Sequence, residues 1–193
     1  MHGCSTELHS LLTQTNPTRV ILLGDIFRKG PDPKGVWKLI KEWKIEAVLG
    51  NHDALLLKQY KNDKLPKKYK KKSVQWLKTL PLRLEEDHWM AVHAGINPYN
   101  IQKEKKKISL FVRRWPNDKL KEDKTNNPFW WELYNGSKLV IYGHDARRGV
   151  VDRRPHSLGL DSGCVYGNGL TGYLLEEDRL ITIPSQTYIQ VHN

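Results

Sequence analysis

The chain has 193 residues, a formal net charge of +11 and a mean hydropathy of −0.64, and its length suffices for one well-buried core. A basic leader followed by an apolar stretch is absent, as is any apolar run long enough to span a bilayer, so a soluble, cytoplasmic protein is expected, with no export and no membrane partner. Two cysteines, Cys4 and Cys164, are too few for a disulfide scaffold and lack the CxxC spacing of a zinc knuckle.

In chain order, Ser5 to Leu12 reads as a helix, with Ser5 or Thr6 as N-cap and leucines at 8, 11 and 12 on one face. Arg19 to Gly24 follows as a buried strand. Pro33 to Trp43 then shows helical spacing of Val36, Trp37, Ile40 and Trp43, and Glu46 to Leu49 returns as a strand. This order is the βαβ unit of a mostly parallel sheet. A helix is expected from Asn51 through Tyr60, and a second from Ser73 to Thr79 capped by Ser73. Leu82 to Glu85 and Trp89 to His93 form an expected hairpin. From Asn97 to Asn127 the periodicity weakens around SLFVRRW, which points to an excursion with some helix in it that acts as a lid. Strands are expected again at Leu139 to Gly143, Ser157 to Leu160, Leu170 to Leu175 and Arg179 to Ile183. The whole reads as one domain over residues 1–193, without internal repeats.

Four of these segments share a pattern, an apolar run broken by glycine beside a side chain that ligates metals: Asp25 after VILLG, Asn51 in AVLGNHD, His93 in WMAVHAG and His144 after LVIYG. Open α/β sheets gather ligands beyond the carboxyl ends of their strands, so these four side chains are expected on one rim. Oxygen and imidazole donors without thiolate suit divalent manganese, iron or zinc, and cobalt or nickel as well.

The lysine-rich runs Lys58 to Lys72 and Lys103 to Lys107 carry much of the excess charge. They read as a solvated surface first, and as a footprint for nucleic acid second, with Tyr60 and Tyr69 as stacking side chains.

GDIFRKGP (24–31), GNHD (50–53), HAG (93–95) and GH (143–144) together resemble the ordered signature of calcineurin-like metallophosphoesterases, in the branch holding serine/threonine phosphatases and symmetrical diadenosine-tetraphosphate hydrolases. HGCSTEL (2–8) and LDSGCVYGNGLT (160–171) are most similar to the tetraphosphate hydrolases. The resemblance implies a layered α/β/β/α sandwich with mixed central sheets. It also implies two divalent ions, manganese foremost, with Asp25 shared between them, His2 in the first site, and Asn51, His93 and His144 in the second. Hydrolysis of a dinucleoside polyphosphate such as diadenosine tetraphosphate, cut symmetrically by metal-activated water, is the activity it implies.

His52 directly follows Asn51 at a strand-to-helix turn and is the expected general acid. Asp53 either orients that ring or caps the helix. Lys29 stands where an arginine is usual and grips phosphate as a point charge, with Arg28 beside it. Arg147 and Arg148 are expected on distal phosphates, and Arg113 and Arg114 less so. Serine/threonine phosphatases of this kind carry an aspartate at the place of Arg28, which makes phosphoprotein hydrolysis the secondary expectation. His9, His88, His156 and His192 are expected to be satisfied core or surface side chains.

The family pattern places an Asp just before His2 and a strand before that, so the first strand is expected to be truncated. A misassigned start at a valine codon is the favoured explanation. The other is a true shortening, which leaves a strand-sized gap and a metal-poor nucleotide-binding protein.

Overall fold

The computed structural model describes residues 1–102, 105–116 and 126–189. Helix α1 (Ser5–Thr15) starts the chain and buries Leu8 and Leu12. Its N-cap is Cys4, without a side-chain cap bond, and not Ser5 or Thr6 as expected. Ser5 lies inside the helix, where its hydroxyl donates to Asp32 Oδ2 at 2.8 Å. Ser5 is already the first residue inside the helix, one place past the cap position that Cys4 occupies, so its hydroxyl bonds across the fold instead.

Strand β1 (Ile21–Leu22) pairs in parallel with β2 (Glu46–Ala47), Ile21 opposite Glu46 and Leu22 opposite Ala47. Between them runs α2 (Pro33–Glu42), started by Asp32, whose carboxylate accepts from Gly35 N at 2.8 Å, with proline in the first turn. Its face of Val36, Leu39 and Ile40 is buried against Leu8, Leu12, Phe27 and Leu56 in the main core. Helix α3 (Asn51–Lys61) begins directly after β2, and α4 (Lys71–Leu77) packs on it. Ser73 sits inside α4 rather than at its cap. Its hydroxyl donates back to the Lys70 carbonyl at 2.8 Å, because the helix begins two residues earlier.

A second, mixed sheet has five strands in the order β3 (Arg83–Glu85), β4 (Trp89–Val92), β5 (Leu139–Tyr142), β7 (Ser157–Gly159) and β6 (Val151–Arg153). β4, β5 and β7 run parallel, while β3 and β6 pair antiparallel at the edges. β4 is buried at all four positions, as a continuous apolar run inside a sheet should be. The hairpin of β3 and β4 forms as expected. β6 was not expected: two of its three residues are charged and exposed, so an edge strand here carries no apolar periodicity.

Within the excursion, α5 (Lys106–Phe111) and α6 (Trp130–Leu133) frame a bridge between Arg114 and Phe129. Residues 103–104 and 117–125, which hold part of the expected lid and the start of the second lysine run, lie outside the described residues, as does His192. Trp130 is fully buried, its indole nitrogen donating to the Ala94 carbonyl at 3.1 Å, which ties this segment to the loop after β4.

The chain ends in the antiparallel pair β8 (Leu170–Leu174) and β9 (Arg179–Ile183). Residues of β1 and β8 line a cavity of about 490 Å³ that reaches His2, Asp25 and His144. No helix among the described residues is long and apolar enough to cross a membrane.

Candidate metal centre

Four carboxyl-terminal strand ends and the turn at the amino end deliver side chains to one place. Asp25 follows β1, Asn51 opens α3 after β2, His93 follows β4 and His144 follows β5, while His2 is held beside Asp25 by backbone bonds from His2 N to Asp25 O and from Gly3 N to Ile26 O. His2, Asp25 and His144 all have positive φ, at 59°, 56° and 74°. Left-handed backbone at a non-glycine residue costs energy and persists where the surroundings impose it, so three such residues at one point mark a site.

Close approach of the strand ends depends on Gly24, at φ +82°, where an added Cβ would stand 2.7 Å from Gly50 N and 2.8 Å from His93 Nδ1. Gly24→Ala should therefore lower stability by more than about 1 kcal/mol, read as a fall in the urea midpoint at unchanged m value.

The Asp25 carboxylate occupies the middle. Oδ1 accepts the His52 backbone N–H at 2.8 Å and lies 3.5 Å from His93 Nε2, while Oδ2 lies 3.8 Å from His2 Nε2 and 4.0 Å from His52 Nε2. His93 Nδ1–H donates to the Leu23 carbonyl at 2.7 Å, which leaves the Nε2 lone pair facing Asn51. One terminal position of the Asn51 amide is 2.9 Å from His93 Nε2, 3.1 Å and 3.3 Å from the Asp25 oxygens, and 3.3 Å from His144 Nδ1. Those partners are acceptors. Either the amide nitrogen turns inward and donates to them, or a cation sits among converging lone pairs. His2 Nδ1 is buried without a hydrogen-bond partner, a further sign of a donor set built for something other than protein hydrogens. Ligand atoms of Asp25, His93 and His144 lie within 4.8 Å of one another, and so do those of His2, Asp25 and His52. The residues present thus fit divalent cations on both sides of one carboxylate.

Burial above all keeps His2, His52 and His144 neutral. Burial, then nearby positive charge and the neighbouring histidines, holds His2 and His144 well below the usual histidine range. Burial lowers His52 to about 4, with Lys29 and Arg28 adding to the effect and Asp25 opposing it. A neutral ring takes up its proton only on unfolding, so without added metal these three histidines stabilise the fold fully above about pH 6.5 and lose that contribution as pH falls. Asp53 works the other way, since burial and then Asp25 push its carboxyl up to about 7 against three backbone N–H donors. With three imidazoles against one carboxyl, the urea midpoint of the metal-free chain should fall between pH 7 and pH 5.

Asp53 is fully buried and accepts from Asp25 N at 2.7 Å, Ile26 N at 3.0 Å and Gly50 N at 3.1 Å. It braces the backbone that presents Asp25 and caps α3, while the His52 ring is engaged by Arg28, whose guanidinium lies 3.1 Å from His52 Nδ1. Guanidinium is a donor only, so it fixes the proton of the neutral ring on Nε2, the nitrogen nearer Asp25. Lys29, at φ 74°, donates to the Tyr166 hydroxyl at 2.7 Å. The Arg148 guanidinium lies 4.6 Å over the Phe129 ring and 3.7 Å from Asp145, and Arg147 is exposed. Arg113 also faces Asp145, at 3.4 Å, and Arg114 stacks on Phe129 at 4.0 Å. Sequence reasoning missed the Leu23 carbonyl, which has no side-chain signature, and Tyr166, whose signal lay inside the motif at 160–171.

The profile of the calcineurin-like phosphoesterase family matches residues 1–148. The chain belongs to the calcineurin-like phosphoesterase family. As a metallophosphoesterase it is a hydrolase of phosphoesters or phosphoanhydrides that uses divalent metal ions. A relative from Oceanobacillus iheyensis, named asymmetrical bis(5'-nucleosyl)-tetraphosphatase PrpE, is 27% identical, covering 96% of this chain and 90% of its own. Another, named symmetrical bis(5'-nucleosyl)-tetraphosphatase, from Vibrio campbellii, is 26% identical over 94% of this chain and 95% of its own. A crystal structure provisionally described as a diadenosine tetraphosphatase superposes with a TM-score of 0.87 at 30% identity, covering 96% of this phosphoesterase and 90% of the other chain.

Proposed function

We propose that this phosphoesterase hydrolyses a phosphoanhydride bond of dinucleoside polyphosphates such as diadenosine tetraphosphate, using two divalent ions with manganese foremost. The observation that carries the proposal is the convergence of lone pairs from Asn51, His93 and His144 on one side of the Asp25 carboxylate and of His2 on the other. His2 and Asp25 would hold one ion, and Asp25, Asn51, His93 and His144 the other. Bound there, such ions supply charge neutralisation for phosphate oxygens and lower the pKa of water.

The chain's own residues do the rest. His52 takes up a second proton at Nδ1, in place of the Arg28 contact, and the resulting imidazolium passes its Nε2 proton, pointed toward the centre, to the departing nucleotide oxygen and returns to the neutral ring. Polyphosphate beside the ring raises its pKa from the low value of the free site, because a nearby anion favours the imidazolium. Lys29, held by Tyr166, adds a positive charge at the same rim, and Arg147 and Arg148, just beyond His144, supply charge for distal phosphates. Arg28 stabilises charge on the substrate only secondarily, since in the free site its guanidinium is bound to His52.

The test offers diadenosine tetraphosphate and a phosphoserine peptide side by side with manganese. Turnover of the dinucleotide at least tenfold faster supports the proposal, and preference for the peptide replaces it with phosphoprotein hydrolysis. The products also report the cleavage position, ADP alone for symmetrical cutting or ATP with AMP for asymmetrical.

A further inference from the structure

A second cluster stands apart in chemistry from the histidine-rich centre. Cys4 at the start of α1, Glu7 one turn further on, and Cys164 in the loop before β8 bring two sulfurs and a carboxylate oxygen within 4.8 Å of one another. All three are buried, at 0%, 3% and 4% exposure. Glu7 Oε1 accepts the Tyr188 hydroxyl at 2.8 Å, whereas Oε2 is buried with no hydrogen-bond partner. A sealed carboxylate oxygen lacking a donor is costly, and the groups beside it are the two thiols. Cys164 also lines the 490 Å³ cavity, which gives a path from solvent.

We infer that Cys4, Glu7 and Cys164 form a binding site for a thiophilic divalent cation of the zinc type, distinct from the phosphoesterase centre. Tetrahedral zinc, with sulfur at about 2.3 Å and carboxylate oxygen at roughly 2.1 Å, sets its ligands about 3.5–3.8 Å apart, a spacing this cluster accommodates. Binding releases the two thiol protons to solvent, forms two metal–sulfur bonds and one metal–oxygen bond, and leaves the fourth position to water from the cavity. The ion would join the amino-terminal turn that carries His2 to the loop that carries Tyr166, so the site bears on both sides of the catalytic rim.

Cobalt as a zinc substitute tests this on the full chain, reduced and freed of metal. Cys4 and Cys164 are the only cysteines in the sequence, and the histidine-rich centre offers no sulfur, so any thiolate-to-cobalt charge-transfer band in the near ultraviolet reports this cluster alone. The expected result is one such band, erased by zinc, reduced to half or less in Cys4→Ser and Cys164→Ser, and requiring at least about tenfold more cobalt in Glu7→Gln. The wild-type chain supplies a second reading, independent of whether the variants fold: zinc should slow alkylation of both thiols at least about tenfold. A reduced wild-type protein with no thiolate–cobalt band and no zinc protection overturns the inference, as does recovery of the two cysteines as a disulfide that reductant and zinc do not convert into the metal-bound form.

Discussion

Asp25→Asn should abolish phosphohydrolase activity while leaving the fold intact, with loss exceeding the roughly 10- to 100-fold that removal of an outer partner of a metal ligand costs. The carboxylate is the one group within reach of both donor sets, with Oδ1 near His93 and Oδ2 near His2 and His52. An amide in its place keeps the shape and the acceptor for the His52 backbone N–H, but halves the oxygen donors and removes the charge. Circular dichroism and the urea midpoint should stay close to the parent, which separates loss of chemistry from loss of structure. Near-parental turnover with saturating manganese would contradict the shared role of Asp25.

His52→Asn should lower turnover of diadenosine tetraphosphate by ~100-fold to ~10,000-fold, the usual worth of a positioned general acid, with manganese affinity retained. The backbone N–H of residue 52, which braces Asp25, survives this change, so the substitution removes only the ring. The loss should shrink when the leaving group is nitrophenolate, which departs without a proton. Equal losses for nucleotide and nitrophenyl substrates would assign His52 to binding rather than to proton transfer.

The rim was legible because sheet strands write themselves as apolar runs, even β1, which was expected to be buried but is half-buried at both positions, where it lines the cavity. VILLG, AVLG, WMAV and LVIYG each place the next polar side chain at a strand's carboxyl end, and the sheet gathers those ends. Less legible were choices between one polar partner and another. Ser5 reads as a cap, yet it bonds Asp32 across the fold. Asp53 reads equally as a ring orienter or a helix cap, and only three backbone N–H groups at hydrogen-bond distance show where its oxygens point. Arg28 also makes a contact that no motif announces, its guanidinium standing 3.1 Å from Nδ1 of the His52 ring. β6 escaped notice because an edge strand of charged residues has the composition of a loop.

Titration calorimetry of manganese into the full chain tests the central claim most directly. The account predicts two bound ions per chain, with the heat of both lost in Asp25→Asn, because a single carboxylate serves the pair. Manganese binding that is absent from the parent chain, or that persists unchanged in Asp25→Asn, would contradict it.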